Sequence, residues 1–68
     1  MNVNNSEIYK EFLDLEQVAE YLNVHISTIY RYIRDIKNPL PTFNISRKII
    51  RVKKDDLDRW LETYKKEN

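Results

Sequence analysis

Four polar side chains share one side of a short helical repeat: Ser27, Tyr30, Arg31 and Arg34, at steps of three, one and three residues. Arginine pairs its planar fork with the O6 and N7 acceptors of guanine, and hydroxyl groups reach base edges or phosphates. This face therefore has the chemistry to read a DNA major groove. Thr28 lies beside it and is a further candidate. A second group, Arg47, Lys48 and Arg51, follows after a proline break, with Lys53 and Lys54 just beyond. Cations so placed can lie along a phosphate backbone, each contact adding about one unit to the salt dependence of binding. His25 stands where the helical repeat begins and can cap the helix or touch a phosphate, and Lys53 is a further candidate phosphate contact.

Other chemistry finds little support. The chain has one His and no Cys, so a metal centre lacks ligands and no thiol nucleophile exists. No glycine-rich phosphate loop is possible without glycine, and the sequence contains none. Asp55, Asp56 and Asp58 cluster at an expected helix start, where acids favour the positive end of the helix dipole. No catalytic residue, metal or cofactor is expected.

The elements that must position these groups follow from local pattern. Asp14 is a good N-cap, and Gln17 three residues later completes a capping box. Leu15, Val18, Ala19 and Leu22 then repeat at helical spacing. Asn23 is the expected end of that helix, because Asn tolerates the left-handed region better than other residues with a side chain. A second helix is expected from Ile26 to Asp35, with Ile26, Ile29, Tyr32, Ile33 and Ile36 as its buried stripe. Ala19 is small enough to let the two helices cross closely. Asn38-Pro39-Leu40-Pro41 breaks the second helix. Phe43 and Ile45, then Ile50 and Val52, alternate with other residues around Ser46-Arg47-Lys48. This predicts a β-hairpin with a basic tip, those four apolar residues facing inward. A last helix is expected from about Lys54, burying Leu57, Trp60, Leu61 and Tyr64. Phe12 and Leu13 suit a short strand or an apolar lead-in. The fold class is α+β, mostly α: a small winged helix-turn-helix of α-turn-α, a two-stranded hairpin wing and a C-terminal helix.

Sixty-eight residues make one domain. Residues 1–11 are expected as a loose arm, 12–64 as the folded domain and 65–68 as a tail. The net charge of +1 hides a strong segregation. Residues 25–54 carry eight bases against one acid, while the segments on either side are acidic. One basic surface with acidic flanks fits a polyanionic partner. No apolar run is long enough for a membrane span, and the missing cysteines fit a reducing, cytoplasmic setting.

The run LDLEQVAEYL (Leu13–Leu22), then Asn23-Val24, then Ser27-Thr28-Ile29-Tyr30-Arg31-Tyr32-Ile33 resembles the opening of excisionase-type DNA-binding domains of the MerR-like winged helix-turn-helix superfamily. Leu40 to Ile45, and then Arg51 to Leu61, resemble that group's wing and closing helix. The resemblance spans about residues 12–64. It implies that Thr28, Tyr30 and Arg31 meet DNA and that the wing touches the adjacent groove or backbone. It also implies a small mobile-element protein that binds repeated sites and bends DNA. Such a protein directs an integrase or recombinase toward excision, or regulates transcription. Cooperative self-association on the DNA would be part of that behaviour, without the long coiled-coil helix of full-length MerR regulators. Three positions depart from the usual pattern: Asn23 and the wing turn lack glycine, and His25 replaces a Ser or Thr cap. The function read from the sequence is thus sequence-specific binding of double-stranded DNA by an excisionase. The alternatives are a small phage or plasmid transcriptional regulator and a protein-interaction module on the same fold.

Overall fold

The structure, a computed structural model, describes residues 11–65. The expected arm and tail fall almost wholly outside the described residues. The order of elements is β1 (Phe12–Leu13), α1 (Leu15–Leu22), α2 (Ile26–Ile33), β2 (Phe43–Asn44), β3 (Ile50–Lys53) and α3 (Lys54–Glu62).

Local chemistry sets both ends of α1. Asp14 accepts from the Gln17 amide (2.8 Å), and the Gln17 side chain accepts from the Asp14 amide (2.9 Å), so the capping box is complete. At the other end Asn23 adopts φ 60°, ψ 48°. The Val24 amide then closes onto the Ala19 carbonyl at 2.9 Å, and Asn23 onto Glu20 at 3.1 Å. These two bonds make the Schellman turn that a left-handed residue permits. Asn23 is the single positive-φ position among the described residues, so the turn between α1 and α2 needs no glycine.

Helix α2 ends sooner than its apolar stripe suggests. The structure ends it at Ile33, with Arg34 as C-cap at φ −92°, ψ 1°. Asp35 then accepts from the Lys37 amide (3.1 Å), a side-chain-closed turn that competes with further helix. Ile36 consequently lies beyond the helix and is 94% exposed, against the expectation that it joins the buried stripe.

The hairpin forms, and a third strand joins it. The sheet order is β1-β3-β2, all antiparallel, so β3 is central. The register pairs Phe43 with Arg51 and Asn44 with Ile50. Side chains directly opposite each other share a face. Val52 is fully buried and Ile50 packs on the core, so Arg51 and its partner Phe43 must point outward. Phe43 and Ile45 are indeed exposed, which corrects their expected inward placement. Phe43 instead meets Phe12 edge-on across the sheet's outer side, with ring centroids 5.8 Å apart.

The core consists of Leu15, Val18, Ala19, Ile29, Leu40, Val52, Leu57 and Trp60. Every helix contributes, with β3 and the proline segment. Leu40, between two prolines, is buried and its amide donates to the Tyr32 carbonyl (3.1 Å). Tyr64 lies past the end of α3 and is half exposed, so it does not extend that helix's buried face as expected. Its ring rests edge-on against Trp60 at 5.0 Å.

Candidate nucleic-acid interface

Ile29 is fully buried, and Ile26, Tyr32 and Ile33 pack against the core. With that side of α2 fixed inward, Ser27, Tyr30 and Arg31 are left exposed on the other. Arg34 is also exposed but sits at the C-cap, not within the helix. Thr28 is half-buried. The polar side of α2 is therefore exposed, with Arg34 at its far end.

His25 is the N-cap of α2. Its Nδ1 accepts from the Ser27 amide at 3.1 Å and lies 2.9 Å from the Ser27 hydroxyl oxygen. An imidazole nitrogen here does what the shorter oxygen of Ser or Thr does elsewhere.

The wing tip is the four-residue turn Ser46 to Ile49. The Ile49 amide donates to the Ser46 carbonyl (3.3 Å), and the Ile45 amide donates to the Ile49 carbonyl (2.9 Å). Neither Arg47 nor Lys48, the two central residues, has positive φ. A turn of that kind has no need of glycine. Both side chains are exposed. Arg51 is half-buried, and its Nη1 donates to the Ile50 carbonyl (3.0 Å), which fixes the guanidinium beside the strand.

An open groove of roughly 530 Å³ joins these parts. Ile26 and Tyr30 of α2 line one wall, and Arg47, Lys48, Ile50 and Arg51 of the wing line the other. Asp14, Leu15 and Glu16 line it as well. The structure thus brings Tyr30 together with the three basic residues of the wing. Ser27, Arg31 and Arg34 stay outside the groove. Of the two acidic groups, Asp14 is expected from the sequence only as a helix cap. Nothing in their local pattern signals that they approach the wing, because the contact is made by β3 packing on α1.

Two cations near the wing behave differently from Arg47 and Lys48. Lys54 is drawn into a cluster on the opposite end of β3: its Nζ is 3.0 Å from Asp58 Oδ2 and 5.2 Å from the centre of the Tyr21 ring. The hydrogen bond to Asp58, with Tyr21 beside it, raises the Lys54 pKa, and the same bond lowers that of Asp58. Lys54 is therefore engaged by Asp58 and Tyr21 and stands apart from Arg47 and Lys48. Lys53 is half-buried, opposite Phe12 in the sheet, and makes no side-chain cap bond to α3.

The family model described as helix-turn-helix domain matches residues 12–65. The chain belongs to the helix-turn-helix domain family. This is a family of DNA-binding domains, and membership supports sequence-specific DNA binding. The matched span runs from β1 to just past α3, so the third strand and the closing helix are part of the domain. No curated protein and no solved structure is a significant match. Among the described residues no group of three or more His, Cys, Asp or Glu is placed to hold a metal ion, and no helix is long and apolar enough to cross a membrane.

Proposed function

We propose that this helix-turn-helix protein is an excisionase of a mobile element: it binds duplex DNA sequence-specifically and bends it so that an integrase favours excision. The observation that carries the DNA-binding mode is the groove that Tyr30 of α2 lines together with Arg47, Lys48 and Arg51 of the wing. A helix in the major groove and a basic tip on the adjacent backbone need that side-by-side arrangement. In this reading Ser27, Thr28, Tyr30, Arg31 and Arg34 meet the major groove. Arg47, Lys48 and Arg51 hold the neighbouring phosphates, and Lys53 adds a more distant charge. Several copies on adjacent sites would share the cost of bending, on the order of 1–6 kcal/mol for a short site. The excision role itself rests on the resemblance of residues 12–64 to excisionase-type domains. The protein acts in the cytoplasm, where its DNA lies.

The test is footprinting on the DNA flanking the protein's own gene, with mobility shifts across a salt series. Protected direct repeats beside a recombination site are expected, with affinity falling steeply as salt rises. Protection over a promoter alone would replace excision by transcriptional regulation. Binding to no duplex, or binding indifferent to salt, would overturn the DNA reading and leave a protein partner as the alternative.

A further inference from the structure

The contact between His25 and Ser27 decides more than the start of α2. The Ser27 amide lies 3.1 Å from His25 Nδ1, and an amide N–H can only donate. Nδ1 is therefore an unprotonated acceptor, and the ring's proton is on Nε2. The Ser27 hydroxyl oxygen lies 2.9 Å from the same Nδ1. A lone pair facing a lone pair would repel, so the hydroxyl must turn its own proton toward the ring. Among the described residues no ion pair or hydrogen bond joins His25 to a charged side chain that could compete for Nδ1.

A serine hydroxyl is ordinarily both donor and acceptor. With its proton committed to His25, Ser27 offers its surroundings lone pairs alone. It then cannot bond a phosphate oxygen, guanine O6 or N7, or thymine O4, all of which are acceptors. The major-groove groups it can bond are the exocyclic amines, N4 of cytosine and N6 of adenine. The opposite side of the imidazole carries a donor, Nε2–H, which suits a phosphate oxygen.

We propose that His25 is a specificity-positioning residue: by holding the Ser27 hydroxyl proton it makes Ser27 an acceptor-only reader of a cytosine or adenine amino group, and its own Nε2–H takes a backbone phosphate. The inference rests on the DNA-binding reading above and names what one residue of that site recognises.

The experiment uses the whole chain and a duplex selected from random sequence for tight binding. Each cytosine or adenine of the site is replaced in turn by an analogue lacking the exocyclic amine (2-pyrimidinone or purine). One position is expected to lose roughly 5- to 10-fold in affinity with the wild-type protein, the worth of about one hydrogen bond. In Ser27→Ala that same substitution costs nothing further. His25→Asn keeps an acceptor at the cap and should retain the analogue penalty. His25→Ala frees the hydroxyl proton, so Ser27 can donate as well as accept. The amine penalty should stay, but a base presenting a carbonyl at that position (thymine O4 or guanine O6) should be disfavoured less than by wild type, with circular dichroism confirming that the helices remain. If no analogue discriminates between wild type and Ser27→Ala, the assignment fails while DNA binding stands. A carbonyl base rejected as strongly by His25→Ala as by wild type would overturn the positioning role. Ser27→Ala weakening all duplexes alike, with a shallower salt slope, would make Ser27 a phosphate contact and overturn the inference. Failure to select any duplex would overturn the DNA reading beneath it.

Discussion

The indole Nε1 of Trp60 donates to the backbone carbonyl of Asn38 at 2.8 Å. Trp60 lies in α3, and Asn38 lies in the segment that leaves the proposed recognition helix. The contact is closed into a ring of hydrogen bonds. Asn38 Nδ2 donates to the Thr63 hydroxyl (2.7 Å), which donates in turn to the Trp60 carbonyl (2.6 Å). Tyr32, near the end of α2, packs on the indole with ring centroids 5.2 Å apart. The last turn of α2 is thus anchored to α3 through one aromatic side chain.

Trp60→Phe should remove the donor while keeping much of the apolar contact. The Asn38 carbonyl would lose its partner, at a cost of about 1–3 kcal/mol. In a domain this small that corresponds to a fall of roughly 4–8 °C in Tm per kcal/mol. Asn38→Ala should cost less, because the carbonyl that Trp60 binds belongs to the backbone. Thermal denaturation of the two variants gives the comparison; equal losses would mean that the side-chain ring, and not the indole bond, is the anchor.

Asn23→Ala should destabilise the protein by about 1–2 kcal/mol, since a Cβ without a local hydrogen-bonding group disfavours the left-handed region. Asn23→Gly should be close to neutral, because glycine occupies that region freely. Chemical denaturation measures both. A neutral Asn23→Ala would show that the turn can be rebuilt without the φ of 60° seen here.

Arg31→Ala should cost about 1–3 kcal/mol of DNA affinity and relax preference at one base pair, as expected for a side chain that reads a base. Lys48→Ala should weaken all sequences alike and lower the salt slope by about one unit. Binding curves on matched and single-mismatch duplexes at several salt concentrations separate the two. A loss confined to one sequence in Lys48→Ala would contradict its placement on the backbone.

The Tyr21–Lys54–Asp58 cluster makes stability depend on pH at both extremes. Asp58 has its pKa lowered in the folded state, chiefly by the hydrogen bond from Lys54. Its contribution is present above the ordinary carboxylate range and is lost as pH falls through the depressed value. Lys54 has its pKa raised, chiefly by Asp58, so its contribution is present below the ordinary lysine range and is lost as pH rises through the raised value. Asp58→Asn should flatten the acid limb of a stability-against-pH curve relative to wild type. The effect should be small and reduced by salt, because the pair is exposed. An unchanged acid limb would place the acid sensitivity elsewhere.

The three helices were legible from the chain because their signals are local. The Asp14–Gln17 capping box, the left-handed Asn23 and the start of α3 at Lys54 each depend on residues within about one helical turn. The basic wing tip was legible for the same reason: Arg47 and Lys48 lie at the centre of a short turn whatever packs nearby. Ile36 was misplaced because the 3.6-residue stripe continues past the point where Asp35 closes a competing turn. Tyr64 was misplaced in the same way, one step beyond the C-cap Thr63 of α3.

The sequence by itself determined the helix boundaries to within a turn, the polar exposed face of α2 and the concentration of positive charge between residues 25 and 54. These follow from backbone caps, helical periodicity and formal charge, which need no distant partner. The tertiary structure alone decided which side of the wing is covered. A strand offers two faces of equal claim, and the pairing of Phe43 with Arg51 turned Phe43 outward once Val52 was buried. It also decided that Leu40 joins the core and that Tyr21 of α1 meets the Lys54–Asp58 pair of α3. Tyr30 comes to line one groove with Arg47 and Arg51 by the same route. Each of these outcomes brings together residues from separate elements, such as Tyr21 and Asp58, whose side chains meet at 3.1 Å. No local pattern encodes such a contact, because it exists only when the whole core has assembled.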